Sequence, residues 1–142
     1  YYNQLASDGE VAAQLALGSL YLTGSRLVDQ DPARAATYFS LAANSDEASA
    51  HAQLGFMYSH GVGLPRDIEA ALRHLEIAHS HGEGLAAAEL GRLYWRGIGV
   101  KQNMTEAVEL LKRAAYEPHV HSAAHFYLGE IFAGVGFPDM SP

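Results

Sequence analysis

The chain has 142 residues, enough for one ordinary domain, with 49% hydrophobic residues and no cysteine. Its formal net charge of -7, with no basic stripe anywhere, argues against binding to phosphate backbones. No apolar run approaches the roughly 18–20 residues of a membrane span. The opening Tyr1-Tyr2-Asn3-Gln4 has neither region of a signal peptide, and without cysteine there are no disulfides, no thiolate metal sites and no clue to the redox compartment.

Self-similarity organises everything else. Leu-Gly pairs recur at Leu17-Gly18, Leu54-Gly55, Leu90-Gly91 and Leu128-Gly129, spaced 37, 36 and 38 residues apart. An alanine precedes each leucine by four residues: Ala13, Ala50, Ala86 and Ala124. An aromatic follows each glycine by three: Tyr21, Tyr58, Tyr94 and Phe132. A second frame interleaves at a constant 36: Asp31, Asp67 and Asn103; Ala35, Ala71 and Ala107; Phe39, Leu75 and Leu111; Ala42, Ala78 and Ala114. Steps of four, four and three mark one face of a helix.

Taken in chain order, the predicted helices cover 10–22, 32–44, 47–59, 68–80, 84–95, 104–116 and 122–133. They alternate between the two frames, so each repeat is a pair of helices. Asp31, Asp67 and Asn103 are expected N-caps of the second helices, and Pro32 suits a first helical turn. Gly24, Gly61 and Gly97 fall where the first helices must stop. Gly18, Gly55 and Gly91 are read as close-packing sites, so a bulky residue at Gly55 should overpack at roughly 1–3 kcal/mol. The expected fold is an all-α, α/α superhelical solenoid of antiparallel helix pairs, one domain over 1–142 with repeats at 10–44, 47–80 and 84–116 and a further first helix at 122–133. Residues 1–8 read as the tail of a preceding second helix and 134–142 as a loop, which points to an excerpt of a longer array.

The strings "AHAQLGFMYSHGVGLPRDIEAALRHLEIAHSHG" and "AAAELGRLYWRGIGVKQNMTEAVELLKRAA" resemble the Sel-1-like repeats, relatives of the tetratricopeptide repeats with a slightly longer period. The segment "LGSLYLTGSRLVDQDPARAATYFSLAAN" is similar to repeats of the lumenal Hrd/Sel-1-like adaptors of endoplasmic-reticulum-associated degradation. That resemblance implies an interaction scaffold in the endoplasmic reticulum lumen, with ubiquitin-ligase components or misfolded glycoproteins as partners. A cytoplasmic or bacterial Sel-1-like signalling scaffold shares the fold and is the alternative, and a hydrolase is the remote one. Three stretches depart from the pattern: "SRLV" in the first loop, His79 where Ala43 and Ala115 stand, and the irregular "YEPHVHS" at 116–122.

The residues that repeats leave free are the candidates for contact. First helices of such solenoids line the concave face, and their variable positions include Phe56, Arg92, Trp95 and Arg96, types enriched in binding hot spots. The last first helix is expected to present Ala124, Leu128 and Phe132 as an uncovered apolar face, a route to homo-oligomers. Asn103-Met104-Thr105 is a glycosylation sequon, which competes with N-capping for the same amide.

Other chemistry finds little footing. Gly61-Val62-Gly63 and Gly97-Ile98-Gly99 follow helices, not strands, and read as loops rather than phosphate cradles. His121 with His125 and His119, and His74 with His79 and His81, have spacings zinc tolerates. They occupy different repeat frames without an acidic partner or a cysteine, so no metal and no cofactor is expected. Glu69, Glu76, Glu106 and Glu109 fall on polar second-helix faces, no nucleophile–base pair shows by spacing, and the chain reads as a non-enzyme.

Overall fold

The computed structural model describes residues 9–116 and 121–133. Among these there are seven helices and no strand: α1 (Val11–Thr23), α2 (Pro32–Ala43), α3 (Ala48–His60), α4 (Ile68–Ser80), α5 (Gly84–Arg96), α6 (Met104–Ala115) and α7 (His121–Phe132). The expected preceding-helix tail at 1–8, the loop at 134–142 and residues 117–120 of the irregular stretch lie outside the described residues. The chain divides into two compact units, Tyr1–His81 and Gly82–Pro142.

In the first unit α1 pairs with α2, and α3 with α4. Second helices start on a side-chain cap: Asp31 Oδ1 accepts from the Arg34 amide at 3.2 Å, and Asp67 Oδ1 from the Ala70 amide at 3.1 Å. The same cap residues tie each pair shut, because the Asp31 amide donates to the Tyr21 carbonyl at 2.7 Å and the Asp67 amide to the Tyr58 carbonyl at 3.0 Å. First helices lack such caps: neither Glu10 nor Glu47 makes a side-chain cap bond. Burial of their inner face and a glycine stop hold them instead. Gly61 ends α3 in the left-handed region, at φ 68° and ψ 37°, with its amide on the Met57 carbonyl. Gly24 ends α1 differently, at ψ 171°. There the longer loop folds on itself, with Ser25 Oγ accepting from the amides of Leu27 and Val28.

Close packing follows from the small residues. A Cβ built on Gly18 would sit 2.7 Å from the Phe39 ring, and one on Gly55 would sit 2.5 Å from Leu75 Cδ2. Glycine therefore lets a bulky second-helix side chain lie against the first-helix backbone, and Phe39 and Leu75 are fully buried as a result. Each such burial contributes about 1.5–3 kcal/mol. The core of this unit gathers Phe39, Leu54 and Met57 among alanines from α2 and α3. Gly63, at φ 72°, lies so close to the Pro32 carbonyl that no side chain fits. The Gly61-Val62-Gly63 loop is thus packed onto the start of α2, not open as an anion cradle.

The second unit repeats the plan. Asn103 Oδ1 caps α6 through the Glu106 amide at 3.1 Å, and the Asn103 amide reaches the Tyr94 carbonyl at 3.0 Å. Gly97 stops α5 at φ 65° and ψ 40°. A Cβ on Gly91 would meet Leu111 Cγ at 2.7 Å. Helix α7 then packs on α5 and α6, burying Leu128 and Ile131 with Trp95, Ala107 and Leu111.

Candidate protein-interaction site

The contact candidates sit in the C-terminal halves of first helices, one to five residues after the Leu-Gly pair in each frame. Phe56 in α3 is half-buried and leans on His60, with ring centroids 4.5 Å apart. Arg96 in α5 is exposed and lays its guanidinium 4.0 Å over the Trp95 ring, a cation–π contact that holds the charge at the surface.

Trp95 and Arg92 are placed differently from what a surface contact needs. Trp95 is 2% exposed: it packs into the core of the second unit and lies 6.0 Å from the Tyr127 ring. The cause is the packing of α7 on α5 and α6; of its frame counterparts, Ser59 is buried too, but Leu22 is half-buried and Ala133 exposed. The Trp95 indole Nε1 is buried without a hydrogen-bond partner, while the Trp95 carbonyl accepts from Gln102 Nε2 at 2.9 Å. Arg92 forks onto Glu89, with Nε and Nη2 at 3.3 and 3.2 Å from Oε2. Glu89 is itself buried, so its charge is held by this pairing rather than by water.

Glu89 and Tyr127 were not singled out in the sequence. Burial first, then the Glu89 charge, push the Tyr127 phenol above its ordinary value, against a smaller opposing effect of Arg92. The phenol stays neutral beside the carboxylate. A polar residue stands just before the Leu-Gly pair at Glu89 and again at Tyr127, and that shared frame position was the available signal.

On α7 the expected apolar face is redistributed. Ala124 and Leu128 are buried, because they occupy the frame positions that pack against α5 and α6, and only Phe132 of the three is exposed, at 68%. The exposed stripe runs instead through Phe126, Gly129 and Phe132, three residues apart on one helix face. A Cβ on Gly129 would meet none of the described residues within 4 Å, unlike those on Gly18, Gly55 and Gly91.

Asn103 is exposed and its Oδ1 is the capping atom. A glycan is carried on Nδ2, so capping and glycan attachment use different atoms of the same amide, and the expected competition between them falls away. No group of three or more metal-ligating side chains occurs among the described residues. His119 lies outside them, as does the side chain of His121. Glu69, Glu76, Glu106 and Glu109 are all exposed. No helix is long and apolar enough to cross a membrane among the described residues.

A family model for the Sel1 repeat matches residues 11–47, 48–82 and 84–119. The chain is 36% identical over 55 residues to HRD3B, an ERAD-associated E3 ubiquitin-protein ligase component of Arabidopsis thaliana. It is 38% identical over 73 residues to human protein sel-1 homolog 2. These alignments take in 39% and 51% of the chain but only 9% and 10% of the two relatives, so the chain matches about a tenth of their length. Among solved structures, a Sel1 repeat protein from Oxalobacter formigenes superposes with a TM-score of 0.72 at 28% identity, covering 95% of this chain and 60% of that one. A protective antigen of uropathogenic Escherichia coli with an SLR fold gives 0.75 at 28% identity, over 96% and 29%.

Proposed function

The chain belongs to the Sel1-repeat family, an all-α helical-repeat fold whose members are typically non-enzymatic protein-interaction scaffolds, and we propose that this one is an adaptor of endoplasmic-reticulum-associated degradation, joining misfolded substrates to a membrane ubiquitin ligase from the lumenal side. The observation that carries the specific reading is the 36% identity to a component of such a ligase. The exposed sequon at Asn103, whose Nδ2 the cap leaves unused, fits a lumenal chain. Contact runs through Phe56 in the first unit and Arg96 in the second. Arg92 and Trp95 act behind them, Arg92 by holding Glu89 and Trp95 by carrying Arg96 on its face. Self-association of two copies, in the same reading, uses the Phe126–Gly129–Phe132 stripe.

The test is mass spectrometry of Asn103 in the protein from its own cells, together with affinity capture of that protein. A glycan on Asn103 and recovery of membrane ubiquitin-ligase subunits are expected. An unmodified Asn103 with no ligase subunit in the capture would contradict the adaptor reading. It would favour the scaffold of cytoplasmic or bacterial type, for which the two bacterial structures covering 95% and 96% of the chain are the supporting observation.

A further inference from the structure

His51 on α3 and His74 on α4 face each other inside the second helix pair, wholly within the first unit. Their Nδ1 atoms are 2.9 Å apart and their rings tilt at 31°. Two Nδ1 atoms at that distance share one proton. One ring donates its Nδ1–H, and the other accepts with a bare Nδ1 and carries its own proton on Nε2. A neutral pair satisfies this, and so does a pair holding one positive charge. A doubly protonated pair does not, because two Nδ1–H groups then point at each other and two cations lie side by side.

The surroundings give the pair little help with a second charge. His51 is 6% exposed, and its Nε2 is buried without a hydrogen-bond partner. His74 is stacked on Tyr58 of α3, with centroids 5.7 Å apart and ring planes within 5°. Among the described residues three other titratable or charged groups bear on the pair. Tyr58 offers His74 only its ring face. Arg73 on α4 repels a charged His74. The Asp46 carboxylate lies 3.9 Å from His51 Nε2, but it is exposed, and water screens its attraction. Burial first, then His51 and Arg73, hold His74 below the ordinary histidine range.

The repeat frame supplies its own controls. Where α3 has His51, the first helix pair has Gln14 and the third Ala87. Where α4 has His74, they have Tyr38 and Leu110. Tyr38 stacks on Tyr21 at 5.8 Å with planes within 4°, the same seat that His74 takes on Tyr58. The fold therefore accommodates a polar, an aromatic or an apolar pair at this seat, and of the three helix pairs only the second fills it with two imidazoles.

We propose that His51 and His74 form an acid-sensitive latch: the α3–α4 pair stays closed while the two rings share one proton and loosens when both are protonated, withdrawing the face of α3 that carries Phe56 from its protein partner. The second half of this inference rests on the reading of Phe56 as a contact residue, and the first half does not. A chain so equipped holds its partner at neutral pH and releases it in an acidic compartment.

Amide hydrogen exchange of the partner-free chain at about pH 7.5 and about pH 5.5, corrected for intrinsic exchange, tests the latch. Opening of α3–α4 is expected to rise about tenfold per pH unit for each proton taken up below the histidine range. The swaps His51→Gln with His74→Tyr, and His51→Ala with His74→Leu, borrow the residues of the neighbouring pairs and should flatten that slope. A flat parent profile, or a slope that survives the swaps, would overturn the latch. Should either double swap melt before exchange can be read, the single His74→Tyr variant serves in its place. Imidazole nitrogen NMR gives a separate reading: His51 and His74 should titrate in two distinct steps, and one common step at the ordinary histidine pKa would overturn shared-proton pairing. Partner affinity retained at about pH 5.5 by a chain whose α3–α4 pair has opened would overturn the release function and, with it, the role given to Phe56.

Discussion

Alanine placed at two glycines of the same frame should move stability in opposite directions. At Gly55 an added Cβ lands 2.5 Å from both Cγ and Cδ2 of Leu75, which is fully buried and has no room to retreat. Overpacking of this kind costs about 1–3 kcal/mol, while replacing glycine within a helix returns about 1 kcal/mol of propensity. The net effect of Gly55→Ala is thus a loss of up to about 2 kcal/mol, with Gly55→Leu worse. At Gly129 the added Cβ meets none of the described residues within 4 Å, so the propensity gain remains and Gly129→Ala should stabilise by about 0.5–1 kcal/mol. For a chain of this size each kcal/mol moves the melting temperature by about 3 °C. Thermal melts by circular dichroism, run side by side, should show Gly55→Ala lowered and Gly129→Ala raised. Two shifts of the same sign would refute the argument that second-helix side chains make the Leu-Gly glycine obligatory.

Three further outcomes follow from the same geometry. Asp67→Ala removes the acceptor for the Ala70 amide and should cost about 1 kcal/mol in a melt, with Asp67→Asn nearly neutral. Arg92→Ala leaves the buried Glu89 carboxylate without its forked partner and should cost about 3 kcal/mol or more, much of it recovered by adding Glu89→Gln; an additive double variant would contradict the pairing. The raised Tyr127 phenol makes the unfolded chain give up its proton more readily than the folded one. Its contribution to stability is therefore full below the unfolded value near 10 and declines as pH rises through that value, which ultraviolet titration of Tyr127→Phe against the parent should show as one late-ionising phenol lost.

Much of the architecture was legible because its signals are positional. Asp31, Asp67 and Asn103 announce helix starts through a chemistry that short side chains alone perform, and the structure gives each the amide three residues on. Helix limits differ from the expected ones by one residue at most ends, where caps rather than periodicity decide. Other features escaped because the repeat conserves a function across unlike residues. Gln30, Arg66 and Gln102 stand 36 apart, and each donates a side-chain N–H to a carbonyl at the end of the first helix, of Leu22, Ser59 and Trp95 respectively. Identity hides this; donor reach reveals it. Trp95 stands at a position that varies between repeats, with Leu22, Ser59 and Ala133 in the other frames, and only the packing of α7 on α5 and α6 shows that Trp95 itself is interior. His51 and His74 lie 23 residues apart and meet only when α3 and α4 fold together.

The most direct comparison is affinity capture from the source cells with the protein as it occurs there, beside a Phe56→Ala, Arg96→Glu variant of it shown to have the same melting temperature. These two substitutions touch side chains that reach the surface and leave Trp95 and the Glu89–Arg92 pairing in place. Ubiquitin-ligase subunits recovered by the parent and lost from the variant are the predicted result. The same partners captured by both would contradict the assignment of the contact to the ends of the first helices.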